Sequence, residues 1–139
     1  MVVLDTNVLS ELIRPRPNAE VVEWIDQQNA SEVRITAITA AELRAGVAVL
    51  PAGPRKSDLH LHIEALLDET FAGAVLAFDA QSAIPYAEIV AARRNRRRPI
   101  AFQDAQIGAI CLQHQMTLAT RNARDFADTG VGLIDPWSV

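Results

Sequence analysis

The sequence predicts an α/β fold: one domain spanning residues 1–139, with a central, mostly parallel sheet of about five strands flanked by helices on both faces. Three observations lead there. The length suits a single domain able to bury a real core, and half of the residues are apolar. Five short runs rich in Val, Ile and Leu lack polar alternation, as strands buried on both faces do. Longer stretches with helical spacing separate them, and right-handed crossovers distribute such helices to both sides of a sheet.

The first strand is Met1–Leu4. Thr6 to about Arg14 follows as a short helix, stopped near Pro15 and Pro17. Asn18 caps a second helix reaching about Gln28, with Val21, Val22 and Ile25 inward. The second strand is Val33–Ile38. A third helix runs from Thr39 to about Leu50 and ends at Pro51-Ala-Gly53-Pro54. The fourth spans Arg55 to Phe71, with Leu59, Ile63, Leu66 and Leu67 at core spacing. Ala74–Phe78 is the third strand. A fifth helix starts near Asp79 with Ile84, Ala87 and Val90 inward, and ends at an arginine cluster before Pro99. The sixth runs from Phe102 to His114, the fourth strand is Met116–Ala119, and Val131–Ile134 is the last. Residues 122–129 form a loop with about one helical turn.

Composition narrows the function classes. No apolar run reaches the ~20 residues of a membrane span, and MVVLDTN is unlike a secretory signal. A cytoplasmic protein is expected. Cys111, the only cysteine, lies in an apolar stretch and reads as a small core residue. The net charge of −4 is unlike that of a protein that coats nucleic acid, yet Arg93, Arg94, Arg96, Arg97 and Arg98 concentrate positive charge within six positions. They read as a surface for RNA phosphates or as a solvated helix end.

The chemistry is carried by acids. Asp5 closes the first strand, Glu42 and Asp104 fall in first turns of helices, and Asn122 and Asp125 follow the fourth strand. Ligands bind wound sheets outside the carboxyl ends of the strands, and all five can face that edge. Each also has a plainer role: Asp5 as an N-cap, Thr39 and Glu42 as a capping box, Asp104 as a partner of the helix dipole, Asn122 as a cap or turn. Together they form a hard-oxygen set suited to Mg²⁺ or Mn²⁺. His60 and His62 are two apart, point in different directions on a helix, and form no zinc pair; His114 reads as a helix-end residue.

The stretches LDTNVLSEL (4–12), ITAAELRAG (38–46), RRRPIAFQDAQIGAIC (96–111) and LATRNARDFADTGVGLIDPW (118–137) resemble the PIN-domain ribonucleases of the VapC toxin type, in their FitB-like branch. They lie in that family's order and spacing. The resemblance implies a Mg²⁺-dependent endoribonuclease acting as the toxin of a toxin–antitoxin pair. It also implies a homodimer and an antitoxin segment that crosses the active-site groove. Asp5, Glu42 and Asp104 fall on the family's acidic positions. The family's Thr-x-Asp is Thr120-Arg121-Asn122 here, with Asp125 three residues on, which leaves the fourth position open between Asn122 and Asp125.

In the expected mechanism Asp5 and Asp104 ligate the principal metal. Glu42 holds or orients the attacking water or acts through a metal-bound water, and Asn122 and Asp125 complete the shell or define a second, weaker metal. Thr6, Asn7 and Thr120 are expected to fix the carboxylates from behind. Arg44 and Arg121 adjoin motif residues and are further candidates for phosphate contacts. Two other readings stand beside this one. A non-hydrolytic PIN-like module that binds RNA or protein through a degenerate metal site is kept open by Asn122. A Mg²⁺ phosphatase or phospho-acceptor domain usually needs an acid two residues after the first, where this chain has Asn7.

Overall fold

The computed structural model describes all residues 1–139. Five parallel strands form one sheet in the order β3-β2-β1-β4-β5. They are β1 (Val2–Leu4), β2 (Val33–Thr36), β3 (Val75–Leu76), β4 (Thr117–Ala119) and β5 (Leu133–Ile134). Six helices accompany them: α1 (Thr6–Leu12), α2 (Ala19–Asp26), α3 (Ala37–Ala48), α4 (Pro54–Ala65), α5 (Ala83–Asn95) and α6 (Phe102–His114).

The central strand shows how three layers arise. Val2 and Leu4 join a cluster with Leu9, Val21, Leu43 and Ile63, from α1 to α4. Val3, between them, joins Ile107 and Cys111 of α6 with Leu118 and Phe126. Alternate side chains of a strand point to opposite faces, so each face of β1 meets its own helical layer. The outer helix α5 packs on α6 through Ile89, Ala105 and Ala109. Gly108 allows the close approach, because a Cβ there would stand 3.3 Å from Ile89 Cδ1.

Several elements differ from expectation. Helix α3 begins at Ala37, because Thr36 and not Thr39 is the N-cap: Thr36 Oγ1 accepts from Thr39 N at 3.1 Å. The Thr39–Glu42 capping box is therefore absent, and Glu42 lies in the second turn with its carboxylate free for other work. The fourth helix is interrupted. After Ala65 it widens into a π-helical turn, Leu66–Thr70, in which Phe71 N bonds to Leu66 O at 2.9 Å. That turn lets both Leu67 and Phe71 be buried.

Helix α5 starts four residues late, because Asp79 Oδ1 accepts from the amides of Gln81 and Ser82 and holds a turn. Its buried positions are Ile89 and Arg93, whereas Ile84 is 60% exposed. Of the expected Ile84, Ala87 and Val90, only the partly buried Val90 packs inward, and Arg93 falls on the buried face. The strands are otherwise shorter than the apolar runs that announce them. Asn18 caps α2 as expected, accepting from Glu20 N at 2.8 Å and Val21 N at 3.2 Å. Cys111 is fully buried, and burial pushes its thiol up to about 12.

Candidate active site

β1 and β4 are neighbours at the centre of the sheet, and the chain winds outward from them in both directions. This is the topological switch point, where crossovers leave the strand ends uncovered. A cleft of about 530 Å³ opens there, lined by Asp5, Thr6, Asn7, Glu42, Asp104 and Asn122 among others. Residues from four separate stretches of sequence thus meet at one edge.

Asp5 is the most constrained of them. Its amide extends the β1–β4 ladder to Ala119 O at 2.9 Å, and it is only 5% exposed. Oδ1 caps α1 by accepting from Thr6 N at 2.8 Å. Oδ2 accepts from Thr120 Oγ1 at 2.7 Å and from Asn7 Nδ2 at 3.3 Å. Thr120 is fully buried, and its hydroxyl also accepts from Asn7 Nδ2 (3.3 Å) and Asn122 N (3.0 Å). The expected supporting groups Asn7 and Thr120 therefore brace Asp5 directly. Burial raises the Asp5 carboxyl, with a smaller push from Asp125, while the bonds from Thr120, Thr6 and Asn7 oppose it.

Glu42 is oriented by a line of hydroxyls. Thr36 Oγ1 donates to Thr39 Oγ1 at 3.4 Å, Thr39 meets Thr6 at 3.0 Å, and Thr6 Oγ1 donates to Glu42 Oε1 at 3.0 Å. Oε2 of Glu42 has no protein partner. Asp104, in the first turn of α6, is half-buried and bonds to no protein group. Its carboxyl is pushed up to about 6, by burial first and then by the charges of Asp5, Asp125 and Glu42. An unpartnered carboxylate among other carboxylates is costly unless a cation joins them.

The donor set is all oxygen, without His or Cys, which fits Mg²⁺ or Mn²⁺. No three His, Cys, Asp or Glu side chains lie close enough to share one ion. Mg²⁺ is commonly held by one or two carboxylates and keeps several waters.

The last acidic stretch divides. Asn122 lines the cleft. Asp125, on the 3₁₀ turn Ala123–Phe126, is exposed and does not line it, although its charge reaches Asp5 and Asp104.

The arginine cluster is corrected more sharply. Arg93 is only 5% exposed and cannot meet RNA. Its Nε donates to Arg98 O at 2.7 Å, and one terminal nitrogen donates to Asp125 O (2.7 Å) and Ala127 O (3.1 Å). It splints α5 to the segment after Asn122. Arg96 and Arg98 lie 3.8 and 3.7 Å from Asp128. Arg94 and Arg97 are exposed, and none of the five lines the cleft. Arg44 turns away to pair with Glu64 and Asp68.

Sequence reasoning missed four cleft residues: Ser10, Glu11, Arg14 and Trp137. Glu11 is buried at 6% exposure, accepting from Asn18 N at 3.2 Å and pairing with Arg14 at 3.3 Å. A Glu on the inward side of an amphipathic helix was the available signal. Trp137 had none, since its place depends on the fold of the last turn.

Comparison with known proteins agrees with this fold. The PIN domain model matches residues 2–132. Toxin FitB of Neisseria gonorrhoeae is 42% identical over 137 residues, covering 99% of both chains. VapC ribonuclease Y4jK of Sinorhizobium fredii is 38% identical, covering 99% of this chain and 98% of its own. Among solved structures, FitAB bound to the IR36 DNA fragment superposes with a TM-score of 0.94 at 42% identity, over 100% of this chain and 97% of that one. The chain belongs to the PIN domain family.

Proposed function

We propose that this protein is a Mg²⁺-dependent endoribonuclease, the toxin of a toxin–antitoxin pair. The observation that carries the reading is the unpartnered, half-buried Asp104 facing the braced Asp5 in one cleft at the switch point of the sheet. The relatives named as a toxin and a ribonuclease cover essentially the whole chain.

Asp5 and Asp104 would hold the metal, with Asn122 offering a carbonyl oxygen at the cleft wall. When bound, the ion supplies a Lewis acid that lowers the pKa of water and offsets charge on the phosphate. Mn²⁺ would serve the same donors. Thr120, Asn7 and Thr6 N keep Asp5 in one rotamer, so its geometry does not reorganise during the reaction. The hydroxyl line through Thr39 and Thr6 fixes Glu42, whose free Oε2 accepts the proton of the attacking water. Asp125 tunes the site through its charge, from outside the cleft. Arg94, Arg96, Arg97 and Arg98 form an outer basic surface whose pull on RNA is long-range.

The antitoxin partner rests on a second feature. A groove of about 1,260 Å³ between the end of α1 and α4 is lined by Leu12, Ile13, Leu59 and Leu66, with Arg14 and Arg55. Ser10 and Arg14 border both this groove and the cleft, so a peptide laid along the groove reaches the carboxylates. Exposed Val49, Ile84 and Phe102 leave apolar surface for a second copy of the chain. No helix is long and apolar enough to cross a membrane, and we place the activity in the cytoplasm.

The test is cleavage of a panel of structured RNAs by antitoxin-free protein with Mg²⁺ or Mn²⁺, against EDTA and Asp5→Asn controls. Cleavage confined to metal-loaded wild type is expected. Cutting that survives EDTA or Asp5→Asn sinks the metal mechanism. RNA binding without any cutting favours the non-hydrolytic module.

A further inference from the structure

An acidic cleft that admits a polyanion needs a cation inside it, and the arginine cluster of α5 does not supply one. Two arginines line the cleft, Arg14 and Arg121. Arg14 is paired with the buried Glu11. Arg121 is exposed, and its guanidinium has no carboxylate or carbonyl partner; it lies over the Trp137 ring, 5.0 Å from the centroid.

Both ends of this stack are pinned. The Arg121 amide donates to Asn7 Oδ1 at 3.2 Å, and the same Asn7 side chain braces Asp5. Trp137 is half-buried against the core, and its amide donates to Asp135 Oδ1 at 2.9 Å. Ser138 adds two bonds to Asp135, N to O at 3.1 Å and Oγ to Oδ2 at 3.2 Å. The C-terminal turn thus presents an indole face, and the guanidinium rests on it with all five N–H donors unspent.

We infer that Arg121, held by Trp137, is the phosphate anchor of the cleft: a bidentate contact to an RNA phosphodiester that sets the register of the chain over Asp5 and Asp104. Arg121 is the binding residue and Trp137 its positioning residue. A planar guanidinium matches two phosphate oxygens at once. The aromatic platform removes side-chain freedom before substrate arrives, so less is lost on binding. A phosphate contact of this kind adds affinity and salt dependence without reading bases.

This inference rests on the ribonuclease reading, and the experiment separates the two. Binding of a fluorescein-labelled mixed-sequence RNA oligonucleotide is measured by anisotropy across a salt series without divalent metal; cleavage of the same RNA is followed with Mg²⁺. Arg121→Ala should raise KM about tenfold, leave kcat within about threefold, and flatten the log–log salt slope by about 0.7. Arg121→Lys should keep the salt slope but recover only part of the KM. Trp137→Phe should behave as wild type. Trp137→Ala should raise KM less than Arg121→Ala, and adding it to Arg121→Ala should have no further effect. Unchanged KM and salt slope in Arg121→Ala overturn the anchor, as do additive effects in the double variant. If wild type itself neither binds nor cuts RNA, both the anchor and the ribonuclease reading fall. If wild type cuts normally and Arg121→Ala equals it, only the anchor falls.

Discussion

Asp104 is where stability and function pull apart. Its carboxyl is raised from the ordinary 3.8 to about 6, so the folded, metal-free protein holds that proton more tightly than the unfolded chain does. The penalty for the charged form is absent below about pH 4 and complete above about pH 6. Stability is therefore lost as pH rises through that window and stays reduced at neutral pH. Half exposure discounts the cost to ~1 kcal/mol. Asp104→Asn should raise the metal-free Tm by ~3 °C at pH 7.5 and leave it unchanged at pH 4, while removing cleavage. Equal shifts at both pH values in thermal melts would show that the carboxylate is not strained. Thr120 belongs to the same scale. Its hydroxyl donates to buried Asp5 and accepts from two groups, and Val supplies none of these bonds. Thr120→Val should cost ~2 kcal/mol and lower kcat by ~10–100-fold, whereas Thr120→Ser should keep most of both; denaturant melts and single-turnover kinetics decide.

Among elements, α5 teaches the most. Its basic end looks like a nucleic-acid surface, yet one arginine on the core-facing stripe is structural. Arg93 ties α5 to carbonyls of Arg98, Asp125 and Ala127, and so fixes the segment that follows Asn122. Arg93→Ala removes three bonds made by a buried guanidinium and the packing of its side chain; we expect a loss of ~3 kcal/mol and a Tm lower by ~10 °C. Arg96→Ala and Arg98→Ala, which lose only exposed pairs to Asp128, should change stability by less than ~0.5 kcal/mol. A ranking in which all three cost alike would contradict the assignment. The start of α3 has a parallel lesson. Capping by Thr36 shifts the helix two residues and turns Glu42 from a capping group into a cleft group.

Across the whole molecule, metal binding at the proposed site would be linked to folding. The strand ends of a parallel sheet gather Asp5, Asp104 and Glu42 at one edge, and their mutual repulsion weakens the metal-free state. Mg²⁺ at a hundredfold excess over its Kd should add ~2.7 kcal/mol. Asp5→Asn and Asp104→Asn should lose that increment, and Asp104→Asn, whose carboxylate has no protein partner, should match or exceed wild type without metal. Thermal melts with and without Mg²⁺ test this directly. An equal Mg²⁺ response in wild type and both variants would mean that the ion binds elsewhere.

Much of this was legible in the sequence. Short apolar runs between amphipathic stretches are buried as a helix-covered parallel sheet, and the local capping signal at Asn18 located a helix start. The acids Asp5, Glu42 and Asp104 were visible because each sits at a hand-over between elements, where side chains reach one edge. The tertiary structure alone decided what each side chain touches. Thr120 reaches Asp5 across 115 positions, and Thr6 reaches Glu42 across 36. The inward face of the Ala-rich α5 is set by packing on α6, since its own periodicity is too weak to fix it; that packing buries Arg93 and leaves Ile84 exposed. Chain-local patterns carry the rotation period of an element but not the identity of its distant neighbours. For that reason the negative half of the site could be read from the chain, with Arg121 as one of several candidate phosphate contacts, whereas its seat on Trp137 could be recognised only in the fold.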